Sequence, residues 1–522
     1  MHYIDYNDRK TLYKYKNKLY RRIKNIKINH DNKKYIKLES QKDILVGKYF
    51  LDQEQKEAIL TDEVTTLVVA SAGSGKSLTI IGKINYLIDN GIEAKDIICI
   101  SFTNDACESL KRKLDHNVEV LTFHKLALNI IGYDNHKICS SNMLEYVIDE
   151  YFKSIIYNNS DMIEKLKNIL NKKVTYEELL KGKELINIKK TIQTFINLYK
   201  ANDYPLDFFC KLDDKQYHNL LCIIIDIFIL YKKELSSQNL IDFDDMISLA
   251  TKQVKQYGIN RNYKYIIIDE FQDTSLVKLN LIKSIIEKTG AKLFCVGDDF
   301  QSIYKFTGCD LDIFLNFSKF IGPAKILKIT HTYRNSQNLA DIATTFILKN
   351  KYQIKKHIIS KKYRYKPIKI INHQPNILEK LLDHLIKNNE KNILILGRNN
   401  KDIYKYLTPN LKLKDNKIIY NNKDINIKYL TIHRSKGLEE ECVILINLYD
   451  DILGIPCKIK NAEILSLINK QDKYPFEEER RLFYVALTRT KKDIYLICPL
   501  KLSIFVKELE HDSKNQIEYL NL

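Results

Sequence analysis

Leu67-Val68-Val69-Ala70-Ser71-Ala72-Gly73-Ser74-Gly75-Lys76-Ser77 is the stretch from which the rest of the chain can be read. Its opening residues form an apolar run rich in β-branched side chains, as expected of a strand buried on both faces of a parallel sheet. Residues with little side-chain bulk follow, and Leu78-Thr79-Ile80-Ile81 then opens a helix. At Ser71, Ala72, Gly73, Ser74 and Gly75 the backbone N–H groups can close around a phosphate. Lys76 adds a mobile positive charge for the outer phosphates, and the Ser77 hydroxyl suits Mg²⁺. The strict pattern G-x-x-x-x-G-K-[ST] would have Gly where this chain has Ala70. The bland alternative is an ordinary Gly/Ser turn, against which the Lys-Ser pair before the helix weighs heavily. The stretch implies a nucleoside triphosphate site.

The composition bounds what such a site could drive. A chain of 522 residues, 45% hydrophobic and 29% charged, is globular and long enough for several domains. The net charge of +19 favours an acidic partner, nucleic acid before an anionic membrane surface. Abundant Lys, Asn, Ile and Tyr with no Trp also fit an AT-rich coding sequence, which raises Lys without a functional demand. The ten Cys are scattered singly, without a C-x-x-C pair or zinc-like spacing to His, and read as reduced core residues. The polar start Met1-His2-Tyr3-Ile4-Asp5 is no secretory signal. The apolar run from Leu220 to Tyr231 is interrupted by Asp226 and too short for a bilayer. The expectation is a soluble, intracellular protein with no membrane partner.

Residues 1–45 carry closely spaced bases interleaved with Tyr, and two readings stand level: an arm on nucleic-acid phosphate, or a solvated helical face. From Leu51 onward strands alternate with helices, which implies parallel βαβ units. From about Asn142 to Gln238 the strand signal disappears. Apolar residues recur there at helical spacing from Leu144 to Ile155, and Thr175-Tyr176-Glu177-Glu178 has a capping-box pattern. The α/β pattern returns at Tyr265, and Gly322-Pro323 suggests a boundary before a second α/β block. The expected organisation is a basic extension over 1–45, a first α/β domain over 46–135 and 239–322, an all-helical insert over 136–238, and a second α/β domain over 323–522.

Ile266-Ile267-Ile268-Asp269-Glu270 puts two carboxylates at the C-terminal end of a buried strand, where open α/β sheets bind ligands. With a phosphate loop in the same chain, Asp269 can hold Mg²⁺ and Glu270 can orient and deprotonate an attacking water.

Ile268-Asp269-Glu270-Phe271-Gln272-Asp273-Thr274 resembles the acidic motif of the UvrD/Rep-type superfamily 1 helicases, and their other motifs follow in order. Leu51-Asp52-Gln53-Glu54-Gln55 resembles the adenine-sensing motif, with Gln55 as its Gln. Phe102-Thr103-Asn104 and Thr122-Phe123-His124 resemble strand-contacting motifs, and Asp242-Phe243-Asp244-Asp245 a signature ahead of the acidic strand. Gly297-Asp298-Asp299-Phe300-Gln301-Ser302-Ile303-Tyr304 resembles the segment coupling ATP to DNA. Thr332-Tyr333-Arg334, Thr431 to Glu439, and Glu479 to Arg489 complete most of the set.

The resemblance implies two RecA-like parallel-sheet domains of the P-loop NTPase class, with ATP and Mg²⁺ between them. It implies γ-phosphate sensing by Gln301, arginine fingers at Arg334 and Arg489, adenine stacking by Tyr333, and nucleotide contact at Gly437, with Glu439 on the ribose. Phe102, Tyr304 and Phe306 would stack on bases, the alternative being that all are core aromatics. Thr103, Thr122, His124 and His433 would touch backbone phosphate or sugar. Departures are Thr307 where many relatives have Arg, Phe306 for a frequent Trp, and Lys278 where Gln is usual. The span from Arg334 to Thr431 leaves no room for the large 2B insert of many relatives, which is most like the helicase IV branch. The implied activity is translocation on single-stranded DNA and unwinding at single-strand/duplex junctions, 3′ to 5′. An RNA-directed motor and a scaffold without ATPase are the alternatives.

Overall fold

The computed structural model describes residues 43–132, 137–158, 182–205, 207–212, 216–421, 423–470 and 472–522. The basic stretch over 1–42 and the capping pattern at 175–178 lie outside them.

A six-stranded sheet forms the first half. Its strands are β1 (Thr65–Ala70), β2 (Ile97–Ser101), β3 (Glu119–Thr122), β4 (Tyr265–Ile268), β5 (Lys292–Gly297) and β6 (Lys325–Ile329). They are all parallel, in the order β6-β1-β5-β4-β2-β3. Alternate residues of β1 enter different cores, Leu67 and Val69 one, Val68 and Ala70 the other. Both faces of the sheet are therefore covered by helices, which is why β1 reads as continuously apolar. Because β5 lies between β1 and β4, the C-terminal ends of these strands stand side by side. β6 corrects the expected boundary at 323: it pairs with β1, Lys325 opposite Thr66, and closes the edge of the first sheet. Gly322-Pro323 breaks a helix, and the sheet of the first half continues past it.

The helical insert leaves and rejoins this half through a short parallel pairing of Lys137 with Leu240 and Ile138 with Ile241. Its described helices are α5 (Met143–Asn158), α6 (Lys183–Ala201), a short turn at Phe208–Lys211, and α7 (His218–Ser237). Earlier in the chain come α1 (Gln53–Leu60), α2 (Lys76–Asp89), α3 (Asn104–Lys111) and α4 (Phe123–Ile131). Lys200 of the insert is buried against Asp242 and Asp245, at the start of α8 (Phe243–Tyr257). Ile464, Leu465 and Ile468 of the second half complete the insert's apolar core.

The second half holds β7 (Ile368–Asn372), β8 (Asn392–Gly397), β9 (Leu411–Lys414), β10 (Lys417–Tyr420), β11 (Asn426–Thr431), β12 (Glu440–Leu445), β13 (Thr490–Cys498) and β14 (Ile517–Leu520). Their order is β9-β10-β11-β8-β12-β13-β7-β14. From β11 through β8, β12, β13 and β7 to β14 the neighbouring strands are parallel, and β9-β10 is an antiparallel hairpin added at the edge. One core crosses between the halves: Ala72, Phe300 and Ile303 of the first pack among Leu482, Phe483 and Tyr484 of the second. No helix among the described residues is long and apolar enough to cross a membrane.

Candidate active site

The turn after β1 is shaped by its glycines. Gly73 (φ +70°) and Gly75 (φ +77°) adopt left-handed backbone conformations, which glycine reaches without strain. A Cβ on Gly73 would lie 2.5 Å from Cβ of Arg334, and one on Gly75 would lie 2.7 Å from Nε2 of Gln55. The loop is thus clasped from two sides. Gln55 Nε2 donates to the Ser74 carbonyl (3.0 Å), while its Oε1 accepts from the Asp52 N–H (3.0 Å) in a capping box that starts α1. From the second half, Thr332 Oγ1 donates to the Ala72 carbonyl (2.7 Å) and the Tyr333 N–H to that of Gly73 (2.9 Å). Ser71 Oγ and Ser74 Oγ are buried without a hydrogen-bond partner among the described residues.

The acid pair stands at the end of β4. Lys76 Nζ, in the first turn of α2, is 3.6 Å from a Glu270 carboxylate oxygen. Burial, reinforced by the neighbouring Glu270 charge, pushes Asp269 above the usual carboxylate range. Burial acts on Glu270 in the same sense, but Lys76, Lys436 and the Gln272 amide outweigh it and hold that carboxyl low. Gln272 Nε2 donates to Glu270 at 2.5 Å. One carboxyl is thus poised as an anion beside a second that a cation would be needed to ionise fully.

The opposing wall comes from the second half. Arg489, 1% exposed, follows α10 (Glu477–Leu487). It donates from Nη2 to Gln301 Oε1 (3.0 Å), from Nε to the Val485 carbonyl (2.9 Å) and from Nη1 to that of Leu438 (3.2 Å). Burial and nearby Arg334 lower its pKa to about 9, so it stays charged at neutral pH. It is no surface salt bridge. Arg334 donates from Nε to Glu439 (2.6 Å) and from Nη1 to the Thr488 carbonyl (3.2 Å). Glu439, expected on a ribose, is committed here to Arg334 and to Lys491 at 3.3 Å. Gly437 (φ +84°) makes the turn that delivers it. Tyr333 is 48% exposed, and its hydroxyl donates to Asp52 (2.7 Å). Glu54 accepts from the Thr330 N–H and His331 lies 3.4 Å from it, so the oxygens of this small acidic group already have protein partners.

Sequence reasoning missed the cations that join the halves. Lys356, with no exposed side-chain surface, donates to Asp298 (2.6 Å), Asp299 (2.7 Å) and the Ala70 carbonyl (3.1 Å). Asp298 in turn accepts from Gln301 Nε2 (2.6 Å). Lys436 is paired with Asp273 and donates to the Gln301 carbonyl (2.8 Å), and Arg481 Nε donates to that of Ser302 (2.6 Å). Gln301 therefore has both ends of its amide engaged, one from each half.

The aromatics expected to meet a strand divide. Phe306 is 58% exposed, edge-on to His433 with ring centroids 5.7 Å apart. Tyr304 is built into the junction instead: its hydroxyl donates to the His433 carbonyl (3.0 Å) and Lys436 lies over its ring at 5.0 Å. Phe102 is half-buried, edge-on to Phe123 (5.4 Å). Thr103 and Thr122 cap α3 and α4, accepting from the Ala106 and Lys125 N–H groups, so their oxygens are partly used locally. His124 packs edge-on to Phe243 at 5.0 Å. Burial, then Lys278, lowers its pKa to about 4. Burial, then Arg398 and Lys436, does the same at His433, also to about 4. Both imidazoles are neutral at pH 7.

Orphaned loop hydroxyls, N–H groups opened by left-handed glycines and a lysine beside a buried acid pair fit a triphosphate. Ser77 and Asp269 have the donor chemistry for a hard divalent cation such as Mg²⁺. Fold and site together define a P-loop nucleoside triphosphatase whose cleft is lined by two RecA-like halves. The chain belongs to the UvrD/REP helicase family: the UvrD/REP helicase N-terminal domain matches residues 51–322 and the UvrD-like helicase C-terminal domain residues 405–501. It is similar to DNA helicase IV of Escherichia coli, 25% identical over 487 residues, covering 86% of this chain and 68% of that one. It also resembles a probable DNA helicase II homolog of Mycoplasma capricolum, 26% identical over 456 residues, covering 80% and 58%. With the ATP-dependent DNA helicase PcrA of Staphylococcus epidermidis it shares 28% identity over 315 residues, covering 58% and 40%. The chain spans about two thirds of the first of these relatives and less of the others.

Proposed function

We propose that this chain is an ATP-hydrolysing motor that moves along single-stranded DNA and separates duplex ahead of it. The observation that carries the reading is convergence: Lys76 and Glu270 from the first half, and Arg334 and Arg489 from the second, face one cleft with Gln301 between them.

Each side chain then has a task. The N–H groups of 71–75 and Lys76 bind the phosphates, with Gln55 holding the loop and Tyr333 stacking on the base. A γ-phosphate draws Lys76 away from Glu270, which leaves that low-pKa carboxylate free to orient a water. Ser77 and Asp269 would hold Mg²⁺, which when bound withdraws charge from the phosphate oxygens. Arg334 and Arg489 place positive charge where the leaving and transferring oxygens become more negative. Gln301 links the two events, since its amide answers to Arg489 on one side and Asp298 on the other. Cleft closure is thereby tied to Phe306, five residues further on.

The printed names of the relatives, all DNA helicases, support DNA as the track. Polarity from 3′ to 5′, a preference for single-strand/duplex junctions and a soluble intracellular location go with that reading. The test is strand-stimulated ATP hydrolysis and displacement with 3′-tailed, 5′-tailed and RNA-tailed duplexes. Lys76→Ala removes turnover while the protein keeps its circular dichroism. Persisting turnover overturns the motor reading, and preferential use of the RNA tail makes it an RNA motor.

A further inference from the structure

Lys278 stands in the first turn of α9 (Leu276–Thr289), where the resemblance leads one to expect Gln. Its Nζ lies over the Phe102 ring, 4.7 Å from the centroid, and 5.8 Å from that of Phe123. The side chain is half-buried, yet among the described residues it makes no hydrogen bond and no ion pair. The carboxylates that act on it through space are otherwise placed: Asp273 is paired with Lys436, and Asp244 lies beyond ion-pair distance. A quadrupole is a weak counterpart for a half-buried ammonium, so this cation keeps an unmet demand for an anion.

Its surroundings say which anion fits. Phe102, Thr103, Thr122 and His124 stand at the ends of β2 and β3, on the side of the sheet where strand contact is proposed. His124 is held neutral there, in part by Lys278 itself, and offers no charge of its own. The ammonium lies over the Phe102 ring and Phe123 packs against it in a T-shaped pair, which limits the ring as a base-stacking surface.

We propose that Lys278 is a phosphate contact for the single strand, and that the Phe102 ring is the platform that positions its ammonium. This rests on the motor reading above. Neutralising one phosphate on a single strand contributes about 0.7 to the slope of log affinity against log salt. Binding of fluorescent oligo(dT) by the full chain, followed by anisotropy across a KCl series without ATP, reads that slope directly. Lys278→Gln, which keeps a polar side chain and removes the charge, flattens it by about 0.7, so its deficit relative to wild type shrinks about 2.6-fold between roughly 50 and 200 mM salt. Lys278→Arg keeps the charge and the wild-type slope. Equal slopes for wild type and Lys278→Gln overturn the phosphate contact, as does a Lys278→Arg slope as flat as that of Gln. A wild-type chain that binds no oligo(dT) overturns the motor reading instead.

Discussion

Lys356→Met tests how the two halves are joined. The ammonium has no exposed side-chain surface, nor do the Asp298 and Asp299 side chains it bridges at 2.6 and 2.7 Å, and the Phe300 ring lies 3.8 Å away. Met keeps most of the volume but leaves both carboxylates and the Ala70 carbonyl without their donor. Removing one partner of a buried ion pair costs about 3–5 kcal/mol, against about 5–15 kcal/mol for a whole domain. The loss is pH-dependent. Burial already raises Asp299 above its ordinary value even though Lys356 opposes the shift. Without Lys356 it rises further, and a carboxyl whose folded pKa exceeds its unfolded one loses stability as pH rises through that window. The deficit is therefore largest near about pH 8 and narrows toward about pH 5. The chain has no Trp, so far-UV circular dichroism in guanidinium follows unfolding, read at the first transition because several cores are present. A loss below about 1 kcal/mol at the higher pH, or one equal at both, refutes the reasoning.

Phe306→Ala removes an exposed ring, so it should leave the melting temperature unchanged and weaken oligo(dT) binding by about 1–3 kcal/mol; unchanged anisotropy would make the ring a bystander. Arg489→Lys keeps a charge but cannot span Gln301 and the Leu438 carbonyl, and should lower strand-stimulated ATP turnover by about 10³-fold or more with nucleotide still bound. Turnover within tenfold of wild type would remove Arg489 from the finger role. His124 and His433 stay neutral until about pH 4, so they add no cation to the strand site at mildly acid pH. The salt slope of binding should thus be the same at about pH 8 and pH 6, and a steeper slope at pH 6 that His124→Asn or His433→Asn removes would show that imidazole to be protonated.

Much of the nucleotide side was legible because it depends on local sequence. A strand, a bulk-free turn and Lys-Ser before a helix can make few things but a phosphate cradle, and an acidic strand end beside it follows from βαβ chain logic. The capping box Asp52 to Gln55 was equally local; its Gln55 has a second bond, to the Ser74 carbonyl, that spacing alone does not announce. The boundary at Gly322-Pro323 was misread because a helix break looks the same whether the next strand joins the old sheet or a new one. The partners of Tyr304 were not legible for a related reason: the His433 carbonyl and Lys436 that meet it lie more than a hundred residues away.

Two α/β blocks, the phosphate loop, the acid pair and the arginines that must meet them are all readable along the chain. Those signals rest on backbone geometry and side-chain type within a few residues. Which cations matter emerges from packing alone. Lys278, Lys356 and Lys436 are indistinguishable by type among 84 Lys and Arg. Burial gives each its meaning: where water cannot screen a charge, an ammonium must find a carboxylate, a carbonyl or an aromatic face. Two of these lysines found carboxylates across the cleft, and Lys278 found only rings.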